Sequence, residues 1–312
     1  MNGAAVSMVA VEAAPTPADL RAGASVSVVM VVYMTGAALS ESLACVLKEP
    51  LVGEFVIVDN GSTPADAAGL KALAKADPRV VLVAGQGNVG FARGANLGAQ
   101  AASGEVLVFL NPDAFLQADC IAELVGEIAG RAAPCIVGGR VLNADGTEQR
   151  GARRGDITPM TALMSLSRLA QKIPAFRRYE VHWETDVAPD GAVDVPTISG
   201  ACFAMRREDF GGLGGFDEGY FLHVEDVDLC WRVRQEGGAV VFHPKAEVVH
   251  LGHTSLTSPL RVEFHKGVGL GRYFRKRAKG PGQHLAAWLL SPLIVCTALV
   301  RPVMWRLTGR SS

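Results

Sequence analysis

The stretch from Gly104 to Ala114 constrains this chain more than any other. Val106–Leu110 is an unbroken apolar run, too short for a helix and preceded by glycine, so it reads as a buried strand. Asn111-Pro112-Asp113 stops it, because Pro112 has no N–H to give to a sheet. Similar Val-rich runs occupy Val26–Val32, 55–58 and Val80–Val83, and segments of helical pattern at 37–47, 66–75 and 90–102 separate them. Strands alternating with helices of roughly 10–15 residues make βαβ units. Their near-continuous Val, Ile and Leu content is that of strands covered on both faces. The expected fold is an α/β, Rossmann-like, mostly parallel sheet flanked by helices.

Open sheets of this class bind ligands beyond the carboxyl ends of their strands. Asp59 and Asp113 both fall there. A lone carboxylate at Asp113 suits a hard divalent cation that already holds a diphosphate; the alternative is a cap for the next helix. Asp59 offers an acceptor for a base N–H or a ribose hydroxyl, or else Asp59-Asn60-Gly61-Ser62 is only a turn. Gly85-x-Gly87-x-x-Gly90 follows a strand and opens a helix, the setting of a dinucleotide fingerprint and hence of an NAD-dependent dehydrogenase. Against that, it lies on the third βα unit, and no acid is cleanly placed about 20 residues later. In a competing reading Asn88, Arg93 and Asn96 matter more. Arg93, one turn into its helix, would reach a diphosphate or else face solvent.

A net charge of -1 gives nucleic-acid binding no global support. Six scattered cysteines without a C-x-x-C pair suit buried positions in a reducing compartment. Residues 1–25, rich in Ala, Pro and Thr and without a basic start, read as a disordered lead-in rather than a signal peptide. No run of 18 or more residues lacks both charge and proline, so no clear spanning helix is expected.

The second half adds a strand over 137–142, a turn at 143–146 and a polar loop over 150–156. A helix over 158–170 follows, with Thr158 as N-cap and Pro159 at its first position. Its broad apolar surface fits a core helix, or a surface for a lipid-linked acceptor or the membrane. Residues 195–205 read as strand, with a close backbone approach at Ser199-Gly200. Glu225, Asp226 and Asp228 share the first turn of a helix, where they suit the dipole. Crowded like charges also raise one another's pKa, which suits a general base. Asp228 is expected to pair with Arg232 at i+4, and Trp231 more readily fills a core. Strands at 239–242 and 246–253 bring His250 and His253, either interior histidines or ligands. The basic cluster 272–277 with Lys279, the apolar stretch 285–300 broken at Ser291-Pro292, and Arg301, Arg306 and Arg310 then follow. This pattern fits a monotopic helix on the cytoplasmic face of an anionic membrane, or a helix packed on the domain.

In this order and spacing, Val56-Ile-Val-Asp-Asn-Gly-Ser62, Asn88-Val-Gly-Phe-Ala-Arg-Gly-Ala-Asn96 and Val108-Phe-Leu-Asn-Pro-Asp113 resemble the GT-A-fold, family 2 glycosyltransferases. The likeness is to the bacterial rhamnosyltransferase-like branch, where Asn-Pro-Asp often stands for Asp-x-Asp. It runs from about Val26 to Lys279, and implies a lead-in 1–25, a GT-A domain 26–280 (a nucleotide-sugar half 26–115, an acceptor half 116–280) and a membrane-associating tail 281–312. One departure is Tyr33-Met34, where Tyr-Asn is common.

The resemblance implies an inverting glycosyltransferase that moves a sugar, L-rhamnose from a dTDP donor, to a hydroxyl of a saccharide or lipid-linked saccharide in cell-surface polysaccharide synthesis. It implies nucleotide-sugar contacts from Tyr33, Asp59, Asn60, Asn88, Gly90, Phe91, Arg93, Asn96, Asn111 and Asp113. A divalent metal, Mn or Mg, would sit on Asp113 and His250, with His253 a weaker candidate; imidazole favours Mn²⁺. Asp226 would be the catalytic base, with Glu225 the runner-up or an acceptor-orienting group. Ser199, Gly200, Glu225 and Trp231 would bind the acceptor. The implied location is cytoplasmic, peripheral at the inner membrane. A non-catalytic membrane-associated scaffold is a third reading.

Overall fold

The computed structural model describes residues 25–252, 254, 255 and 257–308. His253, Arg310 and all of the lead-in but Ser25 lie outside the described residues. The first half builds β1 (Val26–Val32), α1 (Ala38–Lys48), β2 (Val52–Asp59), α2 (Pro64–Ala76), β3 (Val80–Val83), α3 (Phe91–Ala101) and β4 (Val106–Leu110). β1 pairs in parallel with β2 and β4, and β2 with β3, so the order is β3-β2-β1-β4. All seven residues of β1 are buried, as strands between two layers of helix must be. α3 approaches the sheet through Gly98, where a Cβ would stand 2.5 Å from Val29 Cγ1.

The second half adds β5 (Ala114–Leu116), α4 (Cys120–Ala129), β6 (Cys135–Leu142), β7 (Arg153–Arg154), α5 (Pro159–Leu166), α6 (Leu169–Lys172) and a 3₁₀ turn, Pro174–Tyr179. β8 (Val193–Asp194), β9 (Thr197–Ile198), β10 (Cys202–Arg206), α7 (Arg207–Gly212), α8 (Glu225–Gln235), β11 (Ala239–His250), α9 (Pro259–Arg277) and α10 (Pro281–Thr308) complete it. The sheet continues β4-β10-β6-β11-β5, with β8 on β11. β10 runs antiparallel to both neighbours, so the sheet is parallel on its first side and mixed beyond.

Four local expectations change. Residues 195–205 are two strands, β9 and β10, because Ser199-Gly200 turns to meet α8. The 158–170 helix breaks at Arg168 (φ 57), after Ser167 Oγ bonds the Leu163 carbonyl at 2.8 Å. Residues 239–250 form one strand with a register shift between His243 and Glu247, which brackets Pro244. α10 runs through Pro292, with Ser291 Oγ donating to the Ala287 carbonyl at 2.7 Å.

All six cysteines are free, and Cys296 is exposed. α10 lies along α9, turning Ala287, Ile294 and Ala298 inward and Leu285, Trp288, Leu289 and Val300 outward. Pro281–Pro302 is long and apolar enough to cross a membrane by length and composition alone. The basic cluster is largely neutralised inside the molecule. Arg272 and Lys276 pair with Asp217, Arg277 pairs with Asp156, and Arg275 lies over the Trp288 ring.

Candidate active site

Asp59 ends β2, and its Oδ1 accepts the Gly61 and Ser62 N–H groups at 3.1 and 2.8 Å. The local turn is therefore real, and Oδ2 makes no hydrogen bond among the described residues. The Tyr33 ring lies against Gly61. Met34 next to it has φ 46, a conformation asparagine adopts more readily than most residues, which gives the departure from Tyr-Asn a physical meaning.

Asn60 is buried and fully engaged. It donates to the Gly90 carbonyl (3.0 Å) and Asn88 Oδ1 (3.3 Å) and accepts from the Val89 N–H (3.1 Å). Asn88 Oδ1 also receives the Gly90 N–H at 3.0 Å. Gly90 has φ 85, and a Cβ there would stand 2.6 Å from the Phe221 carbonyl, which accepts the Phe91 N–H at 2.7 Å. Phe91 packs edge-on against Phe216. Asn96 exchanges hydrogen bonds with the Phe216 backbone at 2.9 and 2.8 Å and reaches Glu218 at 3.2 Å. Both the Asn60 and the Asn96 side chains hold loops. Arg93 is 58% exposed, with Glu218 3.7 Å away, and keeps its reach. The glycine motif follows β3, the sheet edge, and Gly85 and Gly87 face open space. A dinucleotide fingerprint belongs on a central strand, so the dehydrogenase reading loses its basis.

Asp113 is buried just past β4. Its Oδ1 stands 3.2 Å from His250 Nε2, and its Oδ2 accepts the Thr254 hydroxyl at 2.8 Å. Burial raises the carboxyl, but the His250 bond and charge and the Thr254 hydroxyl outweigh it and leave it below its ordinary value. Gln149 donates its amide to the His250 and Asn143 carbonyl oxygens, so its own oxygen accepts from His250 Nδ1 at 2.7 Å. That directs Nε2 toward Asp113 and the Asn111 amide (3.2 Å), where it either carries a proton to Asp113 or offers its lone pair to a cation. Two acceptors in contact need a proton or a cation between them, so the donor set fits a divalent metal. Among the described residues no three His, Cys, Asp or Glu side chains gather, so further ligands would come from a diphosphate and water.

The acid pair starts α8. Asp226 Oδ2 accepts from Arg154 Nη2 at 2.6 Å and from the Gly200 N–H at 3.2 Å, and Oδ1 from the Val227 N–H at 2.8 Å. A Cβ on Gly200 would stand 3.2 Å from Asp226 Cβ, the close approach expected there. Burial opposes ionisation of Asp226, but the Arg154 charge and hydrogen bond prevail and its pKa falls. Glu225 is buried, with Oε2 unpartnered; burial and the Asp226 charge push it up to about 8. Burial and the neighbouring charge thus favour the protonated form at Glu225, and the Arg154 charge favours the ionised form at Asp226. His223 and Val224, just before it, both have positive φ, rare for a β-branched residue.

Asp228 turns inward to Arg232 (2.7 Å), Tyr220 and Lys276, as its spacing predicts for Arg232. Trp231 lies about 140° around the helix from Asp226. It packs edge-on against Tyr273 and lines a separate cavity of about 450 Å³ with Ile157 and Phe274. Ser199 Oγ accepts the Ala201 N–H at 3.2 Å beside the acid pair.

A chain of hydrogen bonds joins these parts. The Asn111 N–H bonds Ala201 O at 2.9 Å, next to Gly200 on Asp226. Thr254 holds Asp113, and Ser255 Oγ bonds the Tyr33 carbonyl at 3.2 Å. Asn60 ties Asp59's turn to Gly90, and the next residue, Phe91, donates its N–H to the Phe221 carbonyl, four residues before Glu225. Sequence reasoning missed Arg154, Gln149 and Thr254, whose partners lie 72, 101 and 141 positions away.

The family model described as glycosyl transferase family 2 matches residues 27–214, more than half of the chain. N-acetylglucosaminyl-diphospho-decaprenol L-rhamnosyltransferase of Mycobacterium tuberculosis (strain ATCC 25618 / H37Rv) is 40% identical over 90 residues, 29% of this chain and 22% of that protein. O-antigen biosynthesis protein RfbC of Myxococcus xanthus is 27% identical over 224 residues, 68% of this chain and 16% of its own length. The chain thus matches about a fifth of each of these relatives. Among solved structures, mannosyltransferase PcManGT from Pyrobaculum calidifontis, in complex with GDP-Man and Mn2+, superposes with a TM-score of 0.57 at 19% identity, covering 96% of this chain and 79% of that one. GalNAc-T7 with UDP, GalNAc and Mn2+ gives 0.56 at 20%, covering 76% and 45%. Both likenesses speak to fold. With the α/β sheet and the sequence match in agreement, the chain is a member of glycosyl transferase family 2, built on the GT-A fold.

Proposed function

We propose that this protein is an inverting glycosyltransferase that moves a sugar from a nucleoside-diphosphate donor to a hydroxyl of a saccharide or lipid-linked saccharide in cell-surface polysaccharide synthesis. The hydrogen bonds that link Asp59, Asp113 and the Glu225–Asp226 pair support this reading, in which the three face one donor cleft. L-Rhamnose as the sugar rests on the 40%-identical relative, whose name also supplies the lipid-diphosphate acceptor. Two structural neighbours hold nucleotide or nucleotide sugar with Mn2+.

The base and ribose lie over Tyr33 and the free oxygen of Asp59, and the diphosphate lies between Arg93 and Asp113. Asp113 and His250 hold the metal, which when bound neutralises charge on the departing diphosphate. Asp226, ionised beside Arg154, takes the proton of the acceptor hydroxyl as its oxygen attacks the anomeric carbon. The bond from that carbon to the diphosphate oxygen breaks on the opposite face, through an oxocarbenium-like state. Protonated Glu225 donates a hydrogen bond to the acceptor. Membrane attachment uses the outward face of α10.

Calorimetric titration of dTDP-rhamnose with Mn²⁺, beside a transfer assay, tests the roles. Asp113→Asn is expected to lose Mn²⁺-dependent donor affinity by about 10–100-fold. Asp226→Asn is expected to bind donor normally and to lose transfer by about 10²–10⁴-fold. Full transfer by Asp226→Asn would overturn the assignment.

A further inference from the structure

The Gln149 amide is oriented from outside the metal site, at the turn that follows β6. The Asn143 N–H donates to the Thr147 carbonyl at 2.8 Å and the Gly146 N–H to the Asn143 carbonyl at 3.0 Å, which closes the turn. Asp145 is exposed at its tip, and Asp145 Oδ1 accepts the Thr147 N–H at 3.0 Å and the Thr147 hydroxyl at 2.6 Å. An ionised carboxylate can only accept, so the one hydroxyl hydrogen of Thr147 points there. Thr147 Oγ1 must then accept from the Asn143 side chain 2.9 Å away, which identifies the nearer Asn143 atom as Nδ2. Asn143 Oδ1 is left facing Gln149 at 3.3 Å. The backbone carbonyl of His250 faces the same Gln149 atom at 3.0 Å. Two acceptors fix that atom as the amide nitrogen, so Gln149 Oε1 is the atom 2.7 Å from His250 Nδ1. An acceptor in that place requires a hydrogen on Nδ1.

The constraint thus runs from an exposed carboxylate through Thr147, Asn143 and Gln149 to one nitrogen of His250. Gln149 is held from its own backbone too, its N–H donating to the Val141 carbonyl at 2.8 Å. The other ring nitrogen, Nε2, stands 3.2 Å from Asp113 Oδ1. With no acceptor on Nδ1, the Asp113 carboxylate would draw the ring hydrogen to Nε2, where a cation has to bind. An amide prevents this without setting a second negative charge beside a diphosphate, as a carboxylate would.

We propose that Gln149, oriented by the Asn143–Thr147–Asp145 turn, is the positioning residue that keeps the hydrogen of His250 on Nδ1 and so presents Nε2 to the divalent metal. This rests on the reading of Asp113 and His250 as metal ligands and adds to it the group that sets the histidine's tautomer.

The test uses the full chain, metal-free and carrying ¹⁵N-labelled histidine, near neutral pH, with the His250 signals assigned by their loss in His250→Gln. Nitrogen–proton correlation spectra are expected to show a hydrogen on Nδ1 of His250 in the wild type. In Gln149→Met, close in size but without the acceptor, the hydrogen is expected on Nε2 alone. Calorimetry of the same variant is expected to show Mn²⁺-dependent dTDP affinity reduced about 10–100-fold. Gln149→Glu returns an acceptor to Nδ1 and is expected to recover the hydrogen there and most of the affinity. A wild-type Nδ1 without hydrogen would overturn the role. So would a Gln149→Met protein with an unchanged tautomer, whatever its affinity, because lost affinity alone reports only packing. The wild-type spectrum stands even if Gln149→Met fails to fold. Failure of the metal reading looks different: Asp113→Asn would then keep its Mn²⁺-dependent donor affinity while the wild-type spectrum still shows hydrogen on Nδ1.

Discussion

The Glu225–Asp226 pair is where a single residue decides the chemistry. Burial and the Asp226 charge push Glu225 up to about 8, against an ordinary carboxyl value of 4.5. Folding therefore takes up a proton between those limits, and stability falls as pH rises through that window. Glu225→Gln, fixed in the neutral form, is expected to decline less steeply than the wild type through that window; thermal melts from pH 5 to 9 would read this. The same variant should keep acceptor KM near the neutral-pH value and lose the rise expected of the wild type above about pH 8. Arg154→Met leaves Asp226 buried without its counter-charge and is expected to cost about 3 kcal/mol by chemical denaturation. The two acids were visible in the sequence because helix-first-turn carboxylates leave a local mark. Arg154 left none, since its partner lies 72 positions away.

Elements set those residues, and here the sequence was uneven. The strands of the first half were legible because burial on both faces writes an uninterrupted apolar run, as in β1 and β4. The acceptor half was not, because its short strands β7, β8 and β9 are two residues each and owe their pairing to distant partners. Asn60 and Asn96 show a related limit: asparagine beside a ligand cleft and asparagine tying a loop have the same letter. α8 is anchored by Asp228, fully buried among Arg232, Tyr220 and Lys276. Asp228→Ala leaves Arg232 without its counter-charge, while Lys276 keeps Asp217, and is expected to cost about 3 kcal/mol in urea denaturation. Donor affinity, governed by the first half, should change little.

At the scale of the whole molecule, the α9–α10 pair presents hydrocarbon outward, while Arg272, Lys276, Arg277 and Arg301 are paired with acids. Adhesion to vesicles should therefore depend on apolar contact more than on lipid charge. In flotation assays, Trp288→Glu with Leu289→Glu is expected to abolish binding, whereas raising salt should weaken it only slightly. The tail was recognisable from composition, but the continuity of α10 through Pro292 was not, because Ser291 offers a bond that proline rules omit. The hydrogen-bonded chain that links Asp59, Asp113 and the acid pair has one more consequence. Its nucleotide side is stitched by neighbours in the parallel sheet, whereas the proton-accepting side waits on Arg154, Gly200 and the packing of Gly269 against Val224. A damaged preparation can therefore still take up nucleotide while being catalytically dead, so turnover, and not ligand uptake, is the strict measure of native protein.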